Sequence, residues 1–204
     1  MDKARFFHGH VCPFVALGIK ASFVAMDRLG IGRLGFDECN NCFTDGVQVA
    51  TGYTLGNNCL LYFDFGKVAL TIVKRSMWEG VKVYIDSQML KNEYFPEEAL
   101  HLFRKVVAMR KGSRKDKEML SQIWEKLGYE MLKIPENKFK IDRVNVPPIE
   151  KAPIVKSVRC ESCRELVMET RVVRISGENY CLKCAGMRYW ALIGRGIVEM
   201  EADK

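Results

Sequence analysis

Behind Pro13, apolar residues at Phe14, Leu17, Ala21, Val24, Ala25 and Leu29 recur at three- and four-residue steps, which predicts a helix stopping at Gly30. A short helix is expected through Gln48 and Ala50, capped by Asp45. Cys59 to Phe65, Lys67 to Lys74 and Val81 to Asp86 are rich in β-branched and aromatic residues and read as strands. Asp64 to Lys67 would join the first two as a hairpin turning at Gly66. Two further helical patterns follow, from Pro96 to Arg110 and from Ser113 to Leu127, the second stopping at Gly128. Strands grouped together with helices beside them predict an α+β fold, a mostly antiparallel sheet with flanking helices. Pro135 to Ser157, with Pro147, Pro148 and Pro153, reads as an extended linker and divides a core at 1–150 from a C-terminal piece at 151–204.

Composition narrows the class without changing that picture. The 204 residues are 48% hydrophobic and 28% charged, which excludes wholesale disorder, a collagen repeat or a coiled coil. No uncharged run approaches the ~18 residues of a membrane span. Phe6 to Ile19 carries His8, His10 and Pro13 without a small-residue cleavage site, so a cytoplasmic protein is expected. The net charge of +7 raises the question of nucleic acid. Arg104, Lys105, Arg110, Lys111, Arg114, Lys115 and Lys117 nevertheless read as a solvated helix face. Gly30, Gly32 and Gly35 spell a dinucleotide-like fingerprint, but with a helix before them they read as a loop. His101, within one turn of Glu97, Glu98 and Lys105, reads as a surface residue.

Eight cysteines in a reducing compartment point to metal ligation, thiol chemistry or burial rather than disulfides. Cys160 and Cys163 form one C-x2-C pair, Cys181 and Cys184 another, with seventeen residues between. Each pair can turn two thiolates toward one ion, and together they complete the closed sulfur shell that structural zinc prefers. A hairpin within Glu165 to Ile175, a turn at Gly177 and a helix from Cys181 to Leu192 would give an order that resembles a treble-clef finger. Residues 151–204 hold ten Lys or Arg and seven Asp or Glu, a balance of +3 that four thiolates on one dication reduce to about +1. Such a finger attracts phosphate weakly, and nucleic acid is not an expected partner.

The N-terminal chemistry is less local. His8, His10 and Cys12 alternate, so an extended segment would aim all three to one face, with Cys12 at a helix N-terminus that favours thiolate. Two imidazoles and a thiolate suit zinc, nickel, copper or iron, with Cys42 or Cys59 as a further ligand. The alternative is that these residues merely pack and satisfy backbone groups.

F-H-G-H-x-C-P-F-x-A-L-G from Phe7, and C-x-x-D-x-x-Q-x-x-T-G-x-T-x-G-N-x-x-L-x-x-x-D-x-G-K from Cys42, together resemble the FmdE family, named for the E-type component of formylmethanofuran dehydrogenase. The resemblance covers about residues 5–145. It implies an α+β core, a metal site near the histidines and the cysteine of the second motif, and an auxiliary zinc finger in some members. Those assignments fall on His8, His10, Cys12, Cys42, Asp45, Gln48, Thr51 and Gly52. Cys39 and Cys59 lie outside the recognised pattern. The family name refers to a complex that fixes carbon dioxide as a formyl group, and no pterin-binding or formyl-transferring motif is seen here.

The expected protein is therefore metal-binding, with structural zinc in the finger and a second transition metal, zinc, nickel or iron, in the core. Cys12, Cys42 and Asp45 are its candidate catalytic groups, Asp45 as a ligand-orienting residue or a base, and Gln48, Thr51 and Gly52 a candidate cofactor pocket. Redox or one-carbon chemistry, methanogenesis included, would be its setting. Expected partners are a second copy of the chain as a homodimer, or a redox enzyme, with no membrane. The competing class is a non-catalytic accessory or regulatory module that docks a redox enzyme or nucleic acid.

Overall fold

The computed structural model describes residues 1–30, 34–39 and 41–202. Contacts divide the chain into two units, Met1–Ile149 and Glu150–Lys204. In the first, α1 (Asp2–His8), α2 (Pro13–Leu29), β1 (Leu34–Asp37), α3 (Cys42–Thr51), β2 (Leu60–Tyr62), β3 (Ala69–Lys74) and β4 (Glu79–Ile85) follow one another. Then come α4 (Ser87–Tyr94), α5 (Glu97–Phe103), α6 (Arg114–Met131) and β5 (Phe139–Asn145). The fold is mixed α+β, and its sheets are mostly antiparallel.

The five-stranded sheet has the order β2-β1-β3-β4-β5, with only the β1–β2 pair parallel. The expected hairpin between the first two predicted strands is absent. β1 intervenes and pairs with both, because α3 carries the chain back over the sheet to lay β2 parallel to β1. β5 is a second departure. Residues 139–145, expected in the linker, alternate and pair along the whole of β4.

α2, α3 and α6 cover one sheet face, where Leu70, Ile72, Val81, Val83 and Ile85 are fully buried. The opposite face carries a smaller cluster, Leu34, Phe36 and Val73, flanked by Phe63, Trp78 and Ile149. α2 and α3 touch backbone to backbone. A Cβ at Gly18 would lie 2.1 Å from the Phe43 carbonyl oxygen, and one at Gly46 would lie 2.0 Å from that of Val15. Only hydrogen fits at either position.

Three helix boundaries differ from expectation. Asn41, not Asp45, caps α3: its side chain accepts from the Phe43 N–H at 2.8 Å, leaving Asp45 in the first turn. α6 is capped by Ser113 in a reciprocal box with Asp116, but it runs through Gly128 to Met131. Gly128 is a contact point rather than a stop. Its missing Cβ would sit 2.7 Å from Val11, so the glycine lets the segment before α2 lie against α6. The helix expected to Arg110 widens into a π turn at Arg104–Ala108, and Arg110 takes a positive φ of 54°. Of the glycine fingerprint, Gly32 lies outside the described residues, and Gly35 is in β1.

The second unit contains β6 (Ser157–Arg159), β7 (Leu166–Met168), β8 (Val172–Ile175), β9 (Glu178–Cys181), β10 (Arg188–Ile193) and β11 (Gly196–Glu201), paired as three antiparallel ribbons. Ser176 and Gly177 both have positive φ, as the two-residue turn between β8 and β9 requires. The helix expected from Cys181 to Leu192 is absent. Cys181 ends a strand, residues 182–186 turn, and Arg188–Ile193 forms β10. The finger thus lacks the closing helix of the expected treble-clef order.

Candidate metal centres

In the C-terminal unit the four cysteine sulfurs lie within 4.8 Å of one another, close enough to converge on one ion. Local turns put them there. After Cys160 the Arg164 N–H donates back to the Cys160 carbonyl at 3.0 Å with Arg164 at φ 64°, and after Cys181 the Ala185 N–H does the same at 2.9 Å. Backbone N–H groups face the sulfurs as well: Cys181 donates to Cys160 Sγ and Cys184 to Cys181 Sγ, each at 3.3 Å. Donors of this kind stabilise thiolate.

The core cluster is assembled from three helix ends. Cys12 is the extended N-cap of α2, Cys42 the first residue of α3 and His8 the last of α1. The Gly18–Gly46 contact brings the starts of α2 and α3 together, so the ligand atoms of His8, Cys12 and Cys42 also lie within 4.8 Å of one another. His8 Nδ1 is hydrogen-bonded to Asp45 Oδ2 at 2.6 Å, the ring N–H donating to the carboxylate oxygen. That bond turns Nε2 toward Cys12 Sγ, 4.0 Å away. Gln48 Nε2 in turn donates to Asp45 Oδ1 at 3.2 Å.

His10 is not in the cluster. The extended face expected for residues 8–12 does not form, since His8 completes a helical turn and Gly9 reverses the chain at φ 84°. His8 and Cys12 then meet, while the exposed His10 ring packs on that of His8 at a centroid distance of 4.5 Å. Loss of hydration and the neighbouring His8 lower the His10 pKa.

The two thiols divide one proton. A hydrogen bond from Cys12, then the positive field and hydrogen bond of His8, hold the Cys42 thiol down to about 6 despite its partial burial. Cys12, donating to Cys42 and buried, is pushed up. Cys39 and Cys59 stand apart, Cys39 beside Asn41 and Cys59 on the Asn57 carbonyl. Burial and the neighbouring Asp37 push Cys39 up to about 12.

Of the candidate pocket, only Gln48 reaches the cluster. Thr51 bonds the Val47 carbonyl at 2.7 Å and receives the Tyr53 N–H at 3.0 Å, and Gly52 closes α3 at φ 72°. Both serve the helix terminus. Nothing in the local pattern announces the His8–Asp45 pair, whose members stand 37 residues apart. Glycines at 18 and 46 inside apolar helices are the signal that the two helices approach closely.

Residues 7–140 match the family described as FmdE, molybdenum formylmethanofuran dehydrogenase operon. The chain belongs to the FmdE family. A relative from Archaeoglobus fulgidus, named "Probable S-adenosyl-L-methionine-binding protein", is 51% identical over 211 aligned positions, which take in 98% of this chain and 56% of that protein. The FmdE chain therefore spans just over half the length of that curated relative. A tungsten formylmethanofuran dehydrogenase FmdE-like protein from Syntrophus aciditrophicus shares the fold, with a TM-score of 0.60 over 91% of this chain and 89% of that one at 24% identity. Among the described residues of this FmdE member, no helix is long and apolar enough to cross a membrane.

Proposed function

We propose that the core unit is a metal-dependent or thiol-dependent site in which His8 Nε2, Cys12 Sγ and Cys42 Sγ hold one transition ion, and that the four C-terminal cysteines hold a structural zinc. The observation that carries the reading is the Gln48–Asp45–His8 chain behind the two thiols. A ligating histidine is ordinarily oriented by a carboxylate on its other nitrogen, and a histidine that merely packs needs no such chain. Soft sulfur with imidazole suits zinc, nickel or iron. Bound there, the ion would supply Lewis-acid chemistry to a small-molecule ligand in the position that three protein donors leave over.

The roles of the chain's own residues follow from their placement. Cys42, at the start of α3 and facing Cys12 and His8, is the thiolate of the pair. Asp45 is a positioning residue for His8, and Gln48 fixes Asp45 in turn. A redox or one-carbon setting, a cytoplasmic location and either a second copy or a redox enzyme as partner complete the proposal.

Metal analysis of the purified chain tests it. The expected content is about two ions per chain, one for each donor cluster. Cys42→Ser should remove one, and His10→Ala should remove none. Asp45→Asn should weaken the core ion about 10- to 100-fold, as loss of an orienting carboxylate does. Unchanged content in Cys42→Ser at saturating metal would overturn the core assignment.

A further inference from the structure

The sheet face opposite the helices plays no part in the site described above, yet it carries a concavity of about 350 Å³. Strand register dictates its floor. Phe36 on β1 pairs with Thr71 on β3, and Thr71 with Lys82 on β4, so the three side chains form one cross-strand row on that face. Glu38 lies two residues beyond Phe36 and shares its face. Phe63 and Phe65 form an aromatic wall, their rings stacked at 13° with centroids 5.9 Å apart.

Glu38 is the group that asks for an explanation. Its side chain is 6% exposed, and Oε1 receives Lys82 Nζ at 2.5 Å. Oε2 is buried and has no hydrogen-bond partner. A carboxylate oxygen left in that state is costly, whereas one more N–H donor would satisfy it. Lys82 has three N–H donors and spends one of them on Glu38. Side by side at the base of the concavity are therefore an acceptor and a source of donors. Phe36, Phe63 and Phe65 line the same concavity.

We propose that this pocket binds a flat heteroaromatic ring whose edge presents a hydrogen-bond donor beside an acceptor, the pattern a purine base carries. The donor would meet Glu38 Oε2, the acceptor would meet Lys82 Nζ, and the ring would stack on Phe63 and Phe65. The volume falls within the range of ligand pockets, and the few polar groups on an apolar lining match their usual make-up. A second copy of the chain seated on this face is the competing occupant, but an apolar contact would leave the Glu38 oxygen unpaired. The inference is independent of the core metal site, because the two lie on opposite faces of the sheet.

The test titrates adenosine and guanosine into the intact protein by calorimetry, with purine riboside, which lacks the exocyclic amine, as the control. Saturable binding at millimolar concentration or below is expected, about ten-fold weaker for purine riboside and for Glu38→Ala, the usual loss of a hydrogen bond to a charged group. Phe65→Ala should weaken it similarly through lost stacking, and since Phe65 is 62% exposed this variant leaves the core intact. Absence of saturable binding by either nucleoside would overturn the proposal. So would binding that both variants leave unchanged, or a dimer in sedimentation that Phe65→Ala dissociates.

Discussion

The two sulfur clusters look alike in span and differ in how they are made. At the C-terminus, two local turns each deliver a pair of cysteines, and backbone N–H groups face the sulfurs. In the core, no two of the candidate donors share a helix, and the third is an imidazole hydrogen-bonded to a carboxylate from α3. Four sulfurs fill a tetrahedral ion and leave it inert, whereas two sulfurs and a nitrogen leave a place over. The finger has little core to fall back on, since among its cysteines and strands only Cys160 and Gly196 are buried. The core cluster rests on a packed α/β layer that would fold around it. One site should thus need its metal for structure, and the other should need its structure for metal.

The contrast breaks first if the finger survives without its ion. Cys163→Ser, or chelation, should unfold residues 150–204, since structural zinc contributes roughly 10 to 16 kcal/mol in small zinc-binding units. Limited proteolysis should cut there and spare the core, and a protease-resistant finger in metal-free protein would remove the distinction. A smaller effect is expected from the packing side. Gly46→Ala places a methyl group 2.0 Å from the Val15 carbonyl oxygen, where only backbone can yield. It should cost about 3 kcal/mol in denaturant unfolding of the core and empty the core site while the finger keeps its ion. Retention of both ions would show that the helix contact does not set the donor spacing.

The mildest effect is chemical. In metal-free protein the alkylation rate of Cys42 should rise with an inflection near pH 6 rather than near the ordinary thiol value of 9.0. Because the folded value is the lower one, thiolate at Cys42 stabilises the native state fully above pH 9 and loses that contribution as pH falls through 6. An inflection near the ordinary value would mean that Cys12 and His8 do not act on Cys42.

What could be read beforehand follows the same division. The C-x2-C pairs are local, so their spacing exposed them, and the two long motifs identified the family. His8 and Asp45 meet only through the packing of α1 on α3, which no window of sequence contains. β1 was hidden because it is four residues long and includes a glycine, and missing it created a hairpin between strands that it separates. The finger helix failed for a related reason. Tyr189, Trp190, Ala191, Leu192 and Ile193 are apolar at every position, so periodicity could not distinguish strand from helix.

The glycine contact between α2 and α3 also works as a fulcrum. Cys42 stands four residues from Gly46 along α3, a lever arm of about 6 Å at the helical rise. A tilt of α3 by about 10° around that point would carry the Cys42 end by roughly 1 Å, enough to take a sulfur out of bonding reach of an ion. There is no side chain at the pivot to absorb the motion. Packing faults beneath the sheet-facing side of α3 would consequently be read out at its far end as changes in the aperture between two sulfur atoms.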